Sequence, residues 1–155
     1  MAKTKEVQVK LIKVKELSFS CTDIVNDLDY NFIEKDLHIE IGFNFQIKKE
    51  VNEFIIGALI RYLLKKDEIL KYENQTFFSV LNIDQVVAST NGKINIKDEF
   101  LLSLLSVVIG TTRGMMIKNT MGKKINEFPL PILNPKELLN KIKEKIIIPT
   151  HNKRV

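Results

Sequence analysis

From Leu37 to Ile47 the chain alternates without a slip. Leu37, Ile39, Ile41, Phe43, Phe45 and Ile47 take one parity; His38, Glu40, Gly42, Asn44 and Gln46 take the other. Successive side chains of an extended backbone point to opposite sides, so this stretch predicts a strand with one apolar and one polar face. An apolar strand face has to be covered, which restricts the chain to a sheet with a second layer. The next run differs. Phe54, Ile56, Ala58, Ile60, Tyr62 and Leu64 share one parity while Ile55, Leu59 and Leu63 take the other, the pattern of a strand covered on both faces. Its β-branched content favours strand, although LIRYLLKK also suits a helix.

Two more strands complete the sheet. Leu70 to Ile83 places Tyr72, Thr76, Phe78 and Val80 on one side and Phe77, Leu81 and Ile83 on the other. Val7 to Cys21 alternates with slips: Val7, Val9 and Leu11 agree, Ile12 and Val14 change phase, and Leu17, Phe19 and Cys21 return. The slips predict a bulge or bend that sends the strand's ends to different faces. A long, irregular first strand predicts an edge whose N–H and C=O groups are open to another chain. Thr22 to Asp36 reads as a solvated acidic connection; it lacks the glycine and terminal glutamate of a calcium loop.

Helical spacing begins near Asp98, expected in the N-cap region, with Phe100, Leu101, Leu104, Leu105, Val108, Ile109, Thr112, Met115 and Met116. Val107 and Ile117 widen that stripe, so contact from more than one side is expected. Gly110 and Gly114 lie four apart, and each costs about 1 kcal/mol relative to alanine in a helix, so a close backbone approach is expected there. Gly122 breaks the helix. After FPLPILNP a second, short helix is expected, with Asn134 as N-cap, Pro135 first and Glu137 third. Leu138, Leu139, Ile142 and Ile146 form its stripe, and Pro149 ends it. The expected fold is α+β: a four-stranded antiparallel meander followed by two C-terminal helices. It forms a single domain over residues 1–155, with its core at about 7–147 and a flexible basic tail at 148–155. Two helices cover one sheet face, so the other is expected to meet a second copy, a loop or a client.

Charge and composition exclude more than they assign. The net charge of +5 is uneven: residues 1–15 carry +4, residues 118–155 carry +6, and residues 16–117 carry −5. No basic face with interleaved aromatics or groove-reading motif appears, so no nucleic-acid partner is expected. Cys21 is the only cysteine, which fits a reducing compartment. MAKTKEVQVK has no apolar segment behind it and is not a secretory signal. The most apolar window, Phe54 to Leu64, falls short of the ~20 residues of a membrane span and contains Arg61, so no membrane insertion and a cytoplasmic location are expected. His38 has no second ligand at metal spacing. No phosphate loop or G-x-S-x-G elbow is present, and Arg113 lacks a catalytic base. No cofactor, metal or enzymatic activity is expected.

VKLIKVKELSFSC, with its Ser18-Phe19 pair, and SVVIGTTRGMMIKNTMGKKINEFPLPILNPKELL resemble the SecB family of protein-export chaperones, in particular its divergent SecB-like branch. Arg113, Gly114, Leu130, Pro131, Asn134, Pro135 and Leu138 carry the likeness, which spans roughly residues 7–140; the leucine-proline passage into the last helix is its most specific part. The resemblance implies a dimer of dimers in which the first strand and the long helix supply association surfaces. It also implies long apolar grooves that hold unfolded polypeptide clients without ATP or cofactor. The expected polypeptide-binding residues are Phe43, Phe45, Phe54, Tyr62, Phe77, Phe78, Met115 and Met116; the six aromatics are equally readable as core, and the two methionines read more readily as core. The expected oligomer interface is Val9, Leu11, Leu104, Val108, Gly110 and Gly114. Export chaperones of this family dock a motor ATPase through an acidic sheet surface and C-terminal tail contacts, and this chain's basic tail departs from that pattern. SecB-like relatives also serve one specific partner, such as an antitoxin, which is the alternative role implied here.

Overall fold

The computed structural model describes residue 3, residues 5–24 and residues 30–143. Asp27 and Asp29 of the acidic connection, the Ile146–Pro149 end of the last helix and the basic tail lie outside the described residues. Four long strands, β1 (Gln8–Cys21), β2 (Leu37–Lys48), β3 (Glu53–Leu64) and β4 (Asp67–Leu81), form one antiparallel sheet. Its order is β1-β4-β3-β2, which corrects the expected plain meander to a Greek-key arrangement.

The connections explain that order. β2, β3 and β4 are joined by tight turns: a 3-10 turn at Lys49–Val51, and Lys65-Lys66 with both residues at positive φ, the two-residue hairpin geometry. The connection from β1 to β2 is long, and its described residues pack at the end of the sheet. Thr22 N–H donates to the Ile69 carbonyl at 2.7 Å, the Asp23 carboxylate accepts from Lys124 N–H at 3.0 Å, and Ile24 is buried. A short helix, α1 (Tyr30–Asp36), then buries Ile33 and delivers the chain to β2. The edges of the sheet are therefore β1 and β2.

The phase slips in β1 are two bulges, at Ile12 and at Leu17. The first moves the helix-facing set from odd to even positions and the second moves it back. Val9, Leu11, Val14, Phe19 and Cys21 accordingly lie opposite Val80, Phe78, Thr76, Tyr72 and Leu70 on one face. The two ends of the strand thus share a face rather than diverging, because the second bulge undoes the first.

After β4 the structure holds a hairpin, β5 (Val87–Thr90) and β6 (Lys93–Ile96), closed by Asn91-Gly92 with φ 52° and 76°. In the sequence, residues 84–96 read as a connection containing the Asn91-Gly92 turn signal, without evident strands. Strands this short are marginal alone; buried Val87 and Ile83 anchor them.

The long helix α2 (Asp98–Asn119) buries Leu101, Leu104, Leu105, Val108, Ile109, Thr112 and Met116. They share a core with Phe54, Ile56, Ala58, Ile60 and Tyr62 of β3 and Leu70, Tyr72, Phe78 and Val80 of β4. Lys97, not Asp98, is the N-cap; Asp98 and Glu99 occupy the first turn, where negative charge suits the helix dipole. By length and composition α2 is apolar enough to cross a membrane, with mean hydropathy 1.7. Helix α2, rather than residues 54–64, is thus the apolar run that reaches spanning length. In this fold its apolar side is spent on the sheet. The last helix, α3 (Pro135–Lys143), packs on α2 through buried Leu139, and the Asn134 side chain caps it by accepting from Lys136 N–H at 3.0 Å.

The face of the sheet away from the helices is not the broad apolar surface expected. Ile55 is buried there, and Leu59, Leu63 and Phe77 are half-buried. Lys13 places its ammonium 4.6 Å from the Phe77 ring centroid, and the Asn44 carboxamide lies over Gly57.

Candidate functional site

β2 is twelve residues of unbroken alternation with β3 on one side; among the described residues nothing pairs with its other edge. Such an edge presents a row of backbone donors and acceptors. The bulged, lysine-bearing β1 is a poor template for pairing by comparison. On the helix side of β2, Leu37, Ile39, Ile41, Phe43, Phe45 and Ile47 are half-buried, while His38, Glu40, Gly42, Asn44, Gln46 and Lys48 are exposed on the other. The result is an apolar shelf along a free edge.

Two structures wall the shelf. At the Ile47 end, Phe45 meets Phe54 edge-on at 6.3 Å, and Phe54 meets Phe100 of α2 edge-on at 5.8 Å. Such T-shaped pairs fix ring orientation as well as burying area. At the other end Ile39 lies opposite Tyr62, whose hydroxyl donates to the Phe128 carbonyl at 2.9 Å. Arg113 of α2 donates from Nε to the Leu130 carbonyl and from Nη2 to the Pro131 carbonyl, both at 2.8 Å. Its planar fork needs two acceptors in a fixed geometry, and a proline-stiffened backbone supplies them. Phe128 and Leu130 are buried, while Ile132 is 94% exposed at the outer rim of the segment.

Burial pushes the Tyr62 phenol well above its ordinary value, with Arg113 pulling partly the other way; burial also raises Tyr72. As pH passes about 10, the unfolded chain loses these protons while the folded chain keeps them. The contribution of these two groups to stability is therefore constant below that pH and falls as pH rises toward their folded-state values. Tyr62→Phe should cost about 1–2 kcal/mol at neutral pH through the lost hydrogen bond, and should make the alkaline decline shallower. Urea melts across the alkaline range check both.

Among the expected polypeptide-binding residues, the structure brings only Phe43 and Phe45 together on the shelf. Phe54, Tyr62, Phe78 and Met116 are buried in the chain's own core, so they support the site without offering surface. Phe77 points to the opposite sheet face. Met115 is half-buried on the β1 side of α2, where its Sδ accepts from the Tyr72 hydroxyl at 3.3 Å. Ile39, Ile41 and Ile47 complete the shelf and were not among the expected residues, although the alternation that singles out Phe43 and Phe45 includes them.

Of the expected interface residues, Leu104 and Val108 face the sheet and are buried, so the interface expectation is corrected there. Val9 and Leu11 are exposed on β1. A side chain at Gly110 or Gly114 would meet nothing within 4 Å, so no close approach within the chain explains them. Both lie on an outward side of α2 with Val107 and Ile117, each about 40% exposed, and with Met121 just beyond its end.

No protein-family model and no curated protein sequence matches the chain. Among solved structures it aligns with a SecB-like chaperone of Mycobacterium tuberculosis, described in complex with a ChAD peptide from the HigA1 antitoxin. The TM-score is 0.46 and the identity 8%, over 81% of this chain and 88% of that one.

Proposed function

We propose that this chain is a SecB-like holdase that binds unfolded polypeptide along β2, without ATP or cofactor. The apolar shelf on a free, regular edge supports this most directly. An extended client would add a strand to β2 through main-chain hydrogen bonds and lay alternate side chains against Ile41, Phe43 and Phe45. Main-chain pairing is indifferent to client sequence, and shallow apolar contacts are only weakly selective. That combination suits a protein that delays folding and catalyses nothing, and a cytoplasmic place of work fits the lone thiol. Mixed with an unfolding client, the protein should suppress its light scattering, and Phe43→Asp should weaken that suppression while its melting curve stays cooperative. No suppression by the unaltered protein at molar excess would remove the proposal.

The outer sheet face bears on the choice between general export and a dedicated partner. It carries Lys10, Lys13 and Lys15 on β1, and its Glu40 and Glu68 are both engaged by Arg61, at 2.9 and 2.7 Å. That is not the acidic surface the export members use, which favours service to one partner, of which an antitoxin is an example. Affinity capture from the native host separates the two: one dominant partner supports the dedicated role, and many clients with the export motor support export.

We also propose that the outward stripe on α2, Val107, Gly110, Gly114 and Ile117, and the exposed β1 residues Val9, Leu11, Ile12 and Leu17 associate copies of the chain, with a dimer of dimers as the full assembly. Steps of three and four residues with glycine at two of them let helices approach closely. Static light scattering should return a multiple of the 17.9 kDa chain mass, and a strictly monomeric mass would exclude this association.

A further inference from the structure

The sheet face turned away from the helices carries a charge pattern that polypeptide holding on β2 does not use. Lys10, Lys13 and Lys15 lie opposite Ser79, Phe77 and Gln75, three successive outward positions of β4. The bulge at Ile12 makes this so, because in an unbulged strand Lys10 and Lys13 would fall on opposite faces. Alternate outward positions are about 7 Å apart along a strand, so the three lysines occupy one evenly spaced row of positions. All three residues are exposed, and no carboxylate among the described residues forms an ion pair with any of them. Like charges in such a row repel one another, and the row has no internal neutralisation.

What lies beside the row narrows its occupant. Phe77, next inward, has its ring under Lys13, and beyond it on β3 is Ile55. A cationic row therefore borders an apolar strip. The carboxylates of this face lie further along or across: Glu53 pairs with Lys48, Glu40 and Glu68 pair with Arg61, and Glu73 sits opposite Ser18 past the end of the row. A polyanion charged along its whole length would meet these carboxylates within a Debye length of about 8–10 Å. An extended polypeptide with carboxylates on one side and apolar groups on the other brings fewer charges near them, because only its lysine-facing side is charged and its apolar side is turned toward Phe77 and Ile55.

We infer that the outer face of β1 is a docking surface for an acidic, extended segment of a partner polypeptide. Its alternate carboxylates sit over Lys10, Lys13 and Lys15, and its apolar side chains lie toward Phe77. The spacing supplies the register, since side chains on one side of an extended segment repeat at the interval of the lysine row. The surface is on the opposite side of the sheet from the β2 shelf and stands or falls independently of it.

Fluorescence anisotropy tests this with a labelled peptide alternating glutamate and valine, the same peptide with lysine for glutamate, and a single-stranded oligonucleotide. The glutamate peptide should bind, the lysine peptide should not, and affinity should fall as salt is raised. Reversing the row with Lys10→Glu, Lys13→Glu and Lys15→Glu should weaken binding about tenfold, the size expected of three exposed ion pairs. The neutral set Lys10→Gln, Lys13→Gln and Lys15→Gln should weaken it in the same direction, which guards against a folding defect in the reversed set. Suppression of client aggregation should be unchanged in both. Binding indifferent to salt and to both variants would overturn the inference and leave the lysines as guards of the sheet edge. Tighter binding of the oligonucleotide, lost in the same variants, would overturn it in favour of a nucleic-acid surface.

Discussion

Phe54→Ala should lower the free energy of unfolding by about 3–5 kcal/mol, the range for removing a buried aromatic ring from a core that relaxes only partly. Phe54 is fully buried at the start of β3. It lies opposite Ile47 on one side and Phe78 on the other, and its ring meets both Phe45 and Phe100 edge-on. Truncation removes the transfer free energy of the ring, leaves a void beneath α2, and unseats two aromatic neighbours together. Against a total stability on the order of 5–15 kcal/mol, typical of folded proteins, this loss approaches the margin of folding. Urea melts of the two proteins give the number. A loss under about 1 kcal/mol, with client binding abolished, would instead make Phe54 a surface residue of the groove, contrary to its burial.

Arg113→Ala is expected to have the next largest effect, about 2–3 kcal/mol, because hydrogen bonds from a charged donor contribute more than neutral ones. Two such bonds, to the Leu130 and Pro131 carbonyls, hold the segment that walls the shelf. Arg113→Lys should recover only part of the loss, since a single ammonium does not reproduce a planar fork aimed at two carbonyls. Hydrogen exchange localises the effect: faster exchange should appear in residues 128–134 before it appears in β3 or β4. Uniform destabilisation with no local signature would mean that Arg113 supports the core at large and not this segment.

The strands' faces are legible in the sequence because alternation reports which way a side chain points. β2 is complete in this respect, and even the bulges of β1 show as phase slips at Ile12 and Leu17. Asn134 and the Asn91-Gly92 turn are legible for a similar reason, since each is local chemistry. Strand order is not. Alternation says nothing about neighbours, and the placement of β1 beside β4 depends on Asp23, Ile24 and Ile33, which join β1 to β2 through contacts with residues distant in sequence. That one unknown decides the site, because in a meander β2 would be internal and its shelf would have no free edge. The division of aromatics into core and surface is equally hidden. Alternation separates Phe77 from Phe78 by face but does not say which face the helices cover, and Phe43 and Phe54 differ only in how far each strand lies from the edge. Arg113 reads from sequence as a helix residue with no catalytic base beside it, and its acceptors stay hidden because they are main-chain carbonyls, which every residue possesses.

Strand addition at β2 is tested most directly by hydrogen–deuterium exchange of the protein alone and with saturating unfolded client. The outward-facing amides of Leu37–Lys48 should slow strongly when client is present, with smaller protection in residues 128–134 and none in the central strands β3 and β4, whose amides are already paired. Unchanged exchange along β2, with client demonstrably bound, would contradict strand addition at that edge and place the client elsewhere on the protein.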